Sequence, residues 1–270
     1  ATLTIVSGDF REQVRVSGTV MAAKDVDLGF AASGRISGTY ARVGQWVAAG
    51  TILAQIENGD LVAALAETEA DLASLQAGTR PEEISVASAA VVSARAALID
   101  AIQSAYTASD DAIHNKTDTF FTNPRTDPKL IFTVTNSILK AAVEQERTAV
   151  ESTLAKWARL TSTLTSETVA ASAAEAQTHL SQVAALLADA NMALNQGVPD
   201  PTTSAATLSS YATTLATGRT NVNTAAAKLT TDIAALDAAV KNLSLKQAGS
   251  TVENIAAQRA TVAAAQASLA

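Results

Sequence analysis

The chain has no cysteine, and aromatic and charged residues make up only 4% and 17% of its length. Without cysteine it can form no disulfide, no thiolate metal site and no cysteine nucleophile. So little aromatic volume argues against a thick globular core. The net charge is −7 and the 19 basic residues are scattered. The sequence therefore shows no basic patch for nucleic acid and no polybasic stripe for anionic lipid.

Several functional signatures are also missing. We find no signal peptide and no apolar run of the ~18 residues that a transmembrane helix needs. We find no nucleophile elbow, phosphate loop or dinucleotide fingerprint either. We therefore assign no catalytic residue and no cofactor, and predict that the protein is not an enzyme. A membrane anchor would have to lie upstream of Ala1.

Alanine, threonine and serine are abundant instead. Alanine is the best helix former and loses no side-chain entropy, which suits thin, closely packed helices. Residues 1–58 differ, because they hold seven of the twelve glycines and short alternating segments at 2–6 and 13–16. Glycine turns between alternating segments predict a small β module. The predicted fold class is therefore mainly α with a small β module.

Apolar residues recur every seven positions in two stretches, 59–106 and 206–270. This spacing is typical of a coiled-coil seam. The longer stretch predicts a helix of roughly 40 residues, or about 60 Å. Because so thin a helix would be marginal alone, we expect the two stretches to pair as antiparallel arms. The predicted seam consists of Ile84, Val91, Leu98, Leu208, Leu215, Val222, Leu229, Leu236, Leu243, Ile255, Val262 and Leu269.

Residues 76–98 and 247–269 form an internal repeat with a constant offset of 171 residues. Each copy begins Gln-Ala-Gly and continues into a helical pattern, and Gly78 is a predicted helix C-cap. The offset is too long for a solenoid. We interpret the copies as two helix starts at comparable levels of one hairpin. The predicted capping boxes pair Thr79 with Glu82 and Ser250 with Glu253.

Residues 107–205 predict a helical bundle inserted between the arms. A loop at 120–128 is followed by helical stretches near 136–160 and 167–195. We expect the aromatic residues of the insertion to pack in its core and not to line a ligand pocket. These residues are Phe120, Phe121, Phe132 and Trp157.

The polar residues of the insertion show no metal-site pattern. His114 and His179 have no carboxylate or cysteine pattern around them, so we interpret them as surface or packing histidines. Asp110, Asp111 and Asp118 lack a surrounding calcium loop and are expected on a solvated helix face. We predict no metal site.

Residues 43–57 read Val-Gly-Gln-Trp-Val-Ala-Ala-Gly-Thr-Ile-Leu-Ala-Gln-Ile-Glu and resemble the first half of a biotinyl/lipoyl-type domain. The family pattern is apolar-Gly-Asp-x-Val-x-x-Gly-x-x-Leu-x-x-apolar, and Gln45 stands here in place of the Asp. The resemblance assigns turns to Gly44 and Gly50 and inward-facing positions to Val47, Leu53 and Ile56.

Segments 17–20, 28–36 and 76–84 are similar to phrases of bacterial membrane fusion proteins of the hemolysin-secretion and multidrug-efflux type. This resemblance implies half of a lipoyl-like barrel-sandwich hybrid plus a long antiparallel coiled-coil hairpin that carries the inserted bundle. It implies a periplasmic or extracytoplasmic adaptor, anchored to the cytoplasmic membrane by an upstream segment. The implied partners are an inner-membrane transporter of the ABC or RND type, an outer-membrane channel, and further copies of the chain in a trimer or hexamer.

The chain departs from these families in two ways. A lipoyl or biotin carrier needs a modifiable lysine after the first half-domain, but no lysine lies between Lys24 and Lys116, so we expect no such group. The efflux branch has an Arg/Leu/Ser signature at the hairpin tip, and we find no copy of it. The alternative function is a helical sensory or adhesive ectodomain that binds a small ligand through the inserted bundle.

Overall fold

The computed structural model describes residues 1–269. The chain forms two compact units, one made mainly of residues 1–63 and the other mainly of residues 64–268. It is mainly helical, with small two-stranded sheets. This confirms the fold class that the composition predicts.

The first unit contains one antiparallel hairpin, formed by β1 (Ile36–Thr39) and β2 (Ala54–Ile56). The register places Ile36 opposite Ile56, with an irregularity before Gly38. The strands predicted at 2–6 and 13–16 are wrong, because residues 1–35 contain no strand. Their apolar side chains stay exposed, as for Leu3 at 93%. An alternating segment needs a neighbouring strand and a covered face to become a strand, and these segments have neither.

The helices and the remaining strands have the following bounds. A π-helical turn at Ala112–Thr117 and a 3-10 turn at Asp118–Phe120 follow the second helix. Strands β3 (Phe121–Thr122) and β4 (Lys129–Leu130) pair, as do β5 (Thr133–Val134) and β6 (Gly197–Val198). The helices are α1 (Gly59–Ala77), α2 (Pro81–Asp111), α3 (Ser137–Ser162), α4 (Val169–Asn195), α5 (Ala205–Ala248) and α6 (Val252–Leu269).

Helices α2 and α5 run antiparallel along each other. Glu83 near the start of α2 bonds Lys246 near the end of α5, with 2.7 Å between Oε2 and Nζ. At the other end Gly218 of α5 lies against Ala112, which follows α2. Helix α5 has 44 residues, close to the length that its seam predicts.

Helix α4 packs on α2, α3 and α5, and α3 also packs on α2, so the ends of the two long helices belong to a four-helix region. The core of this region contains fully buried Trp157, Phe120 and Ile102. Phe121 and Phe132 are also buried, so the aromatic residues pack in the core as predicted. The boundary predicted at residues 106 and 107 falls inside α2.

Several helix ends differ from the predicted capping boxes. The residue that precedes α2 is Arg80 and not Thr79, and it makes no side-chain cap. At α6 the hydroxyl of Thr251, and not that of Ser250, accepts the amide of Asn254 at 3.2 Å. In both places the residue that precedes the helix lies two positions after the glycine, whereas the predicted capping box places it one position after. The predicted loop at 120–128 also contains the start of the β3–β4 hairpin.

The prediction that no segment is long and apolar enough to cross a membrane is wrong, because one helical stretch has both the length and the composition. Residues 59–120 contain a helical window of 18 residues with mean hydropathy 1.5. Leu98, Ala101 and Ile102 in this stretch are buried among the other helices. Only 22% of the window is buried inside the protein, and a single such window is weak evidence for a membrane span.

Candidate functional site

The loop between β1 and β2 carries the lipoyl-like segment. Its glycines take positive φ values, +85° at Gly44 and +87° at Gly50, where a Cβ would be strained. The amide of Gln45 donates to the carbonyl of Arg42 at 3.0 Å and closes the first turn. The Gln45 side chain accepts the Arg42 amide at 3.1 Å, a bond that a carboxylate could also make. The exchange of Asp for Gln is therefore compatible with this turn.

The apolar positions of the same segment are only partly covered. Val47 is 37% exposed, and Leu53 and Ile56 are half-buried. Trp46 is 85% exposed. Within residues 1–63 no second sheet lies over these side chains. The inward-facing role that the resemblance assigns to Val47, Leu53 and Ile56 therefore stays a prediction.

The predicted seam residues differ in how far they are buried. Helix α5 packs so closely on the π-helical turn that a Cβ at Gly218 would lie 3.2 Å from the Cβ of Ala112. Burying each large apolar side chain contributes about 1.5–3 kcal/mol. Ile84, Leu243, Ile255 and Leu269 are half-buried. The buried members are Val91, Leu98, Leu208, Leu215, Val222, Leu229, Leu236 and Val262.

A buried guanidinium lies at the centre of the four-helix region. Arg147 on α3 is fully buried, and its Nε and Nη2 donate to the two carboxylate oxygens of Asp118 at 2.6 and 3.0 Å. Its Nη1 donates to Glu151 at 2.9 Å. Burial alone would lower the pKa of Arg147, but these bonds outweigh it and raise the pKa above the usual value. The side chain of Asp118 is only 10% exposed, so its expected place on a solvated face is wrong.

His114 extends this network from the π-helical turn. Its Nδ1 lies 2.8 Å from Asp110, and its Nε2 lies 3.1 Å from Glu151. The prediction that this histidine has no carboxylate neighbours is therefore wrong. Burial raises the pKa of Glu151, but the bonds from His114 and Arg147 outweigh burial and hold the pKa below its ordinary value.

The arrangement does not form a metal centre. Both ring nitrogens of His114 face carboxylates on opposite edges of the ring, so neither nitrogen is free for an ion. Among residues 1–269 no group of three or more histidine, cysteine, aspartate or glutamate side chains could hold a metal. The network can hold the π-helical turn and α3 in one place, and it can respond to protonation of its carboxylates.

A second polar feature lies between α3 and α4. His179 is 7% exposed and has no hydrogen bond on either ring nitrogen. Its ring lies 5.6 Å from the ring of Trp157, whose Nε1 also has no partner. Burial lowers the pKa of His179, and this effect exceeds the opposing influence of Glu175. The ring of His179 therefore packs against Trp157, with its Nε2 3.5 Å from Oε1 of Glu175.

A groove with a volume of ≈ 220 Å³ also runs between α3 and α4. Glu146, Thr153 and Gln182 line it. Thr153 donates to Gln182 at 2.7 Å, while Oε2 of Glu146 is buried without a partner. Burial, and then the negative charge of Asp189, raise the pKa of Glu146.

Arg147, which the sequence did not single out, donates to two carboxylates, those of Asp118 and Glu151. The only available signal was the spacing of four between Arg147 and Glu151, which places both on one helix face. That spacing is common on exposed helices. The partner Asp118 is brought to Arg147 by the π-helical turn, which nothing in the sequence pattern predicts.

Comparison of the chain with known protein families, with curated proteins and with solved structures finds no match.

Proposed function

We propose that the protein is a periplasmic or extracytoplasmic adaptor subunit of a bacterial efflux or secretion pump, of the membrane fusion type. The observation that carries this proposal is the antiparallel pairing of α2 and α5, which follows the lipoyl-like segment in the chain. At 1.5 Å per residue, the 44 residues of α5 reach about 66 Å. A spacer of this length suits a protein that works by connecting separate components.

In this proposal the seam residues keep the two long helices together as a coiled-coil hairpin. The turns at Gly44 and Gly50 belong to half of a lipoyl-like barrel-sandwich hybrid. An inner-membrane transporter of the ABC or RND type is the first partner, with further copies of the chain in a trimer or hexamer. The exposed side chain of Trp46 gives the β1–β2 loop an apolar contact point for such a partner.

Photo-crosslinking in the native cell tests the proposal. A photoreactive residue replaces Trp46, and in a matched variant it replaces Ile138, which is similarly exposed at 81% at the start of α3. We expect Trp46 to crosslink to an inner-membrane transporter or to a second copy, and Ile138 to do neither. Recovery of the protein in the cytoplasmic fraction, or no crosslink from Trp46 to either a transporter or a second copy, would contradict the proposal.

A second candidate function is a sensory or adhesive ectodomain that binds a small ligand in the four-helix region. The unpartnered polar groups of Ser109, Trp157 and His179 favour it, because buried polar groups normally have a partner. A thermal-shift screen of small polar molecules separates the two candidates. A ligand that raises the melting temperature of wild-type protein, but not of a His179→Leu variant, supports the ectodomain.

A further inference from the structure

The two arms of the helical hairpin are interrupted at the same level. Helix α1 ends at Ala77 and α2 begins at Pro81, while α5 ends at Ala248 and α6 begins at Val252. A Cβ placed on Gly249 would lie 3.6 Å from the Cα of Gly78, so the two breaks are directly side by side. The internal repeat encodes this pairing, because Gly78 and Gly249 are equivalent residues of its two copies.

Each break uses a backbone conformation that L side chains rarely adopt. Gly78 has a φ of +71° and Gly249 a φ of +66° with a ψ of −147°. The second combination is essentially confined to glycine. Both helices therefore stop at the glycine and do not bend gradually. The short linkers that follow end at Arg80 and Thr251, before α2 and α6 start.

The helix pairs on the two sides of the breaks are packed to different degrees. Beyond the breaks, α2 and α5 bury Val91, Leu98 and Leu229 and are further held by the Glu83–Lys246 ion pair. On the other side, α1 has no buried residue and α6 has only Val262. One hydrogen bond, from the Gln258 side chain to the carbonyl of Thr68 at 3.0 Å, joins α1 to α6.

We infer that the paired breaks at Gly78 and Gly249 form a flexible joint, about which the α1–α6 pair bends relative to the α2–α5 pair. If only one helix were broken, its continuous neighbour would resist bending, because bending would require that helix to lose hydrogen bonds. Two breaks at one level remove this resistance. The joint does not depend on the adaptor proposal, because it follows from the helix ends alone.

Double electron–electron resonance measures the joint directly, and the absence of native cysteine makes the labelling specific. One spin-label pair, Glu69→Cys with Ser88→Cys, spans the break between α1 and α2. The control pair, Ser88→Cys with Thr107→Cys, has the same separation of 19 residues and lies within α2. All three positions are exposed. We expect the distance distribution across the break to be about twice as wide as that of the control pair, because helices bend sharply only where their backbone hydrogen bonds are interrupted.

A second variant tests whether the breaks cause that width. Replacing Gly249, Ser250 and Thr251 by alanine allows α5 and α6 to continue as one helix. This continuous helix should limit bending between α1 and α2. We expect the Glu69–Ser88 distribution to narrow toward the control width, with the helical circular dichroism retained or increased. Equal widths for the two pairs in the otherwise unaltered chain would overturn the joint. So would an alanine variant that stays helical and leaves the broad distribution unchanged.

Discussion

Oε2 of Glu83 lies 2.7 Å from Nζ of Lys246, although 163 residues separate them in the chain. Their bond joins the first turn of α2 to the last turns of α5 and marks the antiparallel register of the long helices. With this register, Leu229 and Leu236 of α5 are buried in the same core as Val91 and Leu98 of α2. The helix pairing can therefore be tested at individual seam positions.

The first prediction concerns the seam. Leu229 is fully buried, so Leu229→Ala should lower the free energy of unfolding by about 2–5 kcal/mol through lost burial and a cavity. Leu245→Ala is the matched control, since Leu245 lies on the same helix but is 69% exposed. Urea unfolding followed by circular dichroism measures both. Similar small effects for the two variants would show that Leu229 does not pack in the folded protein.

The second prediction concerns the buried ion pair. Arg147→Met should cost about 3–5 kcal/mol of stability, because it leaves the carboxylate of Asp118 buried and unpaired. Lys241→Met breaks the exposed pair with Asp237 and should change stability by about 0–1 kcal/mol. The same unfolding measurement compares them. If Arg147→Met unfolds like the Lys241 variant, Arg147 does not hold Asp118 in the core.

The third prediction concerns acid sensitivity. Burial lowers the pKa of His179 in the folded state, so the unfolded chain binds the proton more readily. Stability should fall as the pH drops below about 6.5, the ordinary histidine value, and should level off below the lowered folded pKa. The charged groups beside His179 are Glu175 and Lys156.

His179→Leu should remove this part of the pH dependence, because leucine does not titrate and can pack against Trp157. Melting temperatures at pH 7.5 and pH 5.5 provide the measurement. His114→Gln is the control for the other histidine, and in this variant the melting temperature should still fall between pH 7.5 and pH 5.5. A drop that is unchanged in His179→Leu would assign the acid sensitivity to another group.

The fourth prediction concerns Glu146. Its pKa is raised in the folded state, so the folded protein binds that proton more strongly than the unfolded chain. Protonation of Glu146 therefore stabilises the folded protein at pH values below the ordinary glutamate pKa, and this stabilisation is lost as the pH rises through the folded pKa. Glu146→Gln keeps the side chain neutral and should raise the melting temperature at pH 7.5, with a gain that disappears near pH 4.

Glu144→Gln gives a neighbouring comparison. Glu144 accepts the amide of Leu130 at 3.1 Å and faces Lys129, so its charge is favourable and its replacement should lower the melting temperature at pH 7.5. A rise in melting temperature for Glu146→Gln and a fall for Glu144→Gln would reflect the different surroundings of the two glutamates. A loss of stability in both variants would contradict the repulsion between Glu146 and Asp189.

The class of the fold and the positions of most helices follow from local features of the sequence. Alanine-rich segments with apolar residues at helical spacing predict helices near 136–160 and 167–195, and the structure has them at Ser137–Ser162 and Val169–Asn195. These signals are local, because they depend on propensity and periodicity within one segment. The alternating segments at 2–6 and 13–16 form no strand, since a strand depends on a partner that the alternating pattern does not supply.

Which polar residues meet depends on how the helices pack against one another. Arg147 and Asp118 are 29 residues apart and come together because a π-helical turn ends α2 and redirects the chain. Gly78 and Gly249 resemble each other in sequence, but their contact depends on the register between two helices that are far apart in the chain. Repetition and spacing describe each helix separately, whereas the packing of side chains between helices sets their direction and level. For this reason the helices and the similar levels of the two repeated helix starts could be predicted, while the buried charge network and the direct contact between Gly78 and Gly249 could not.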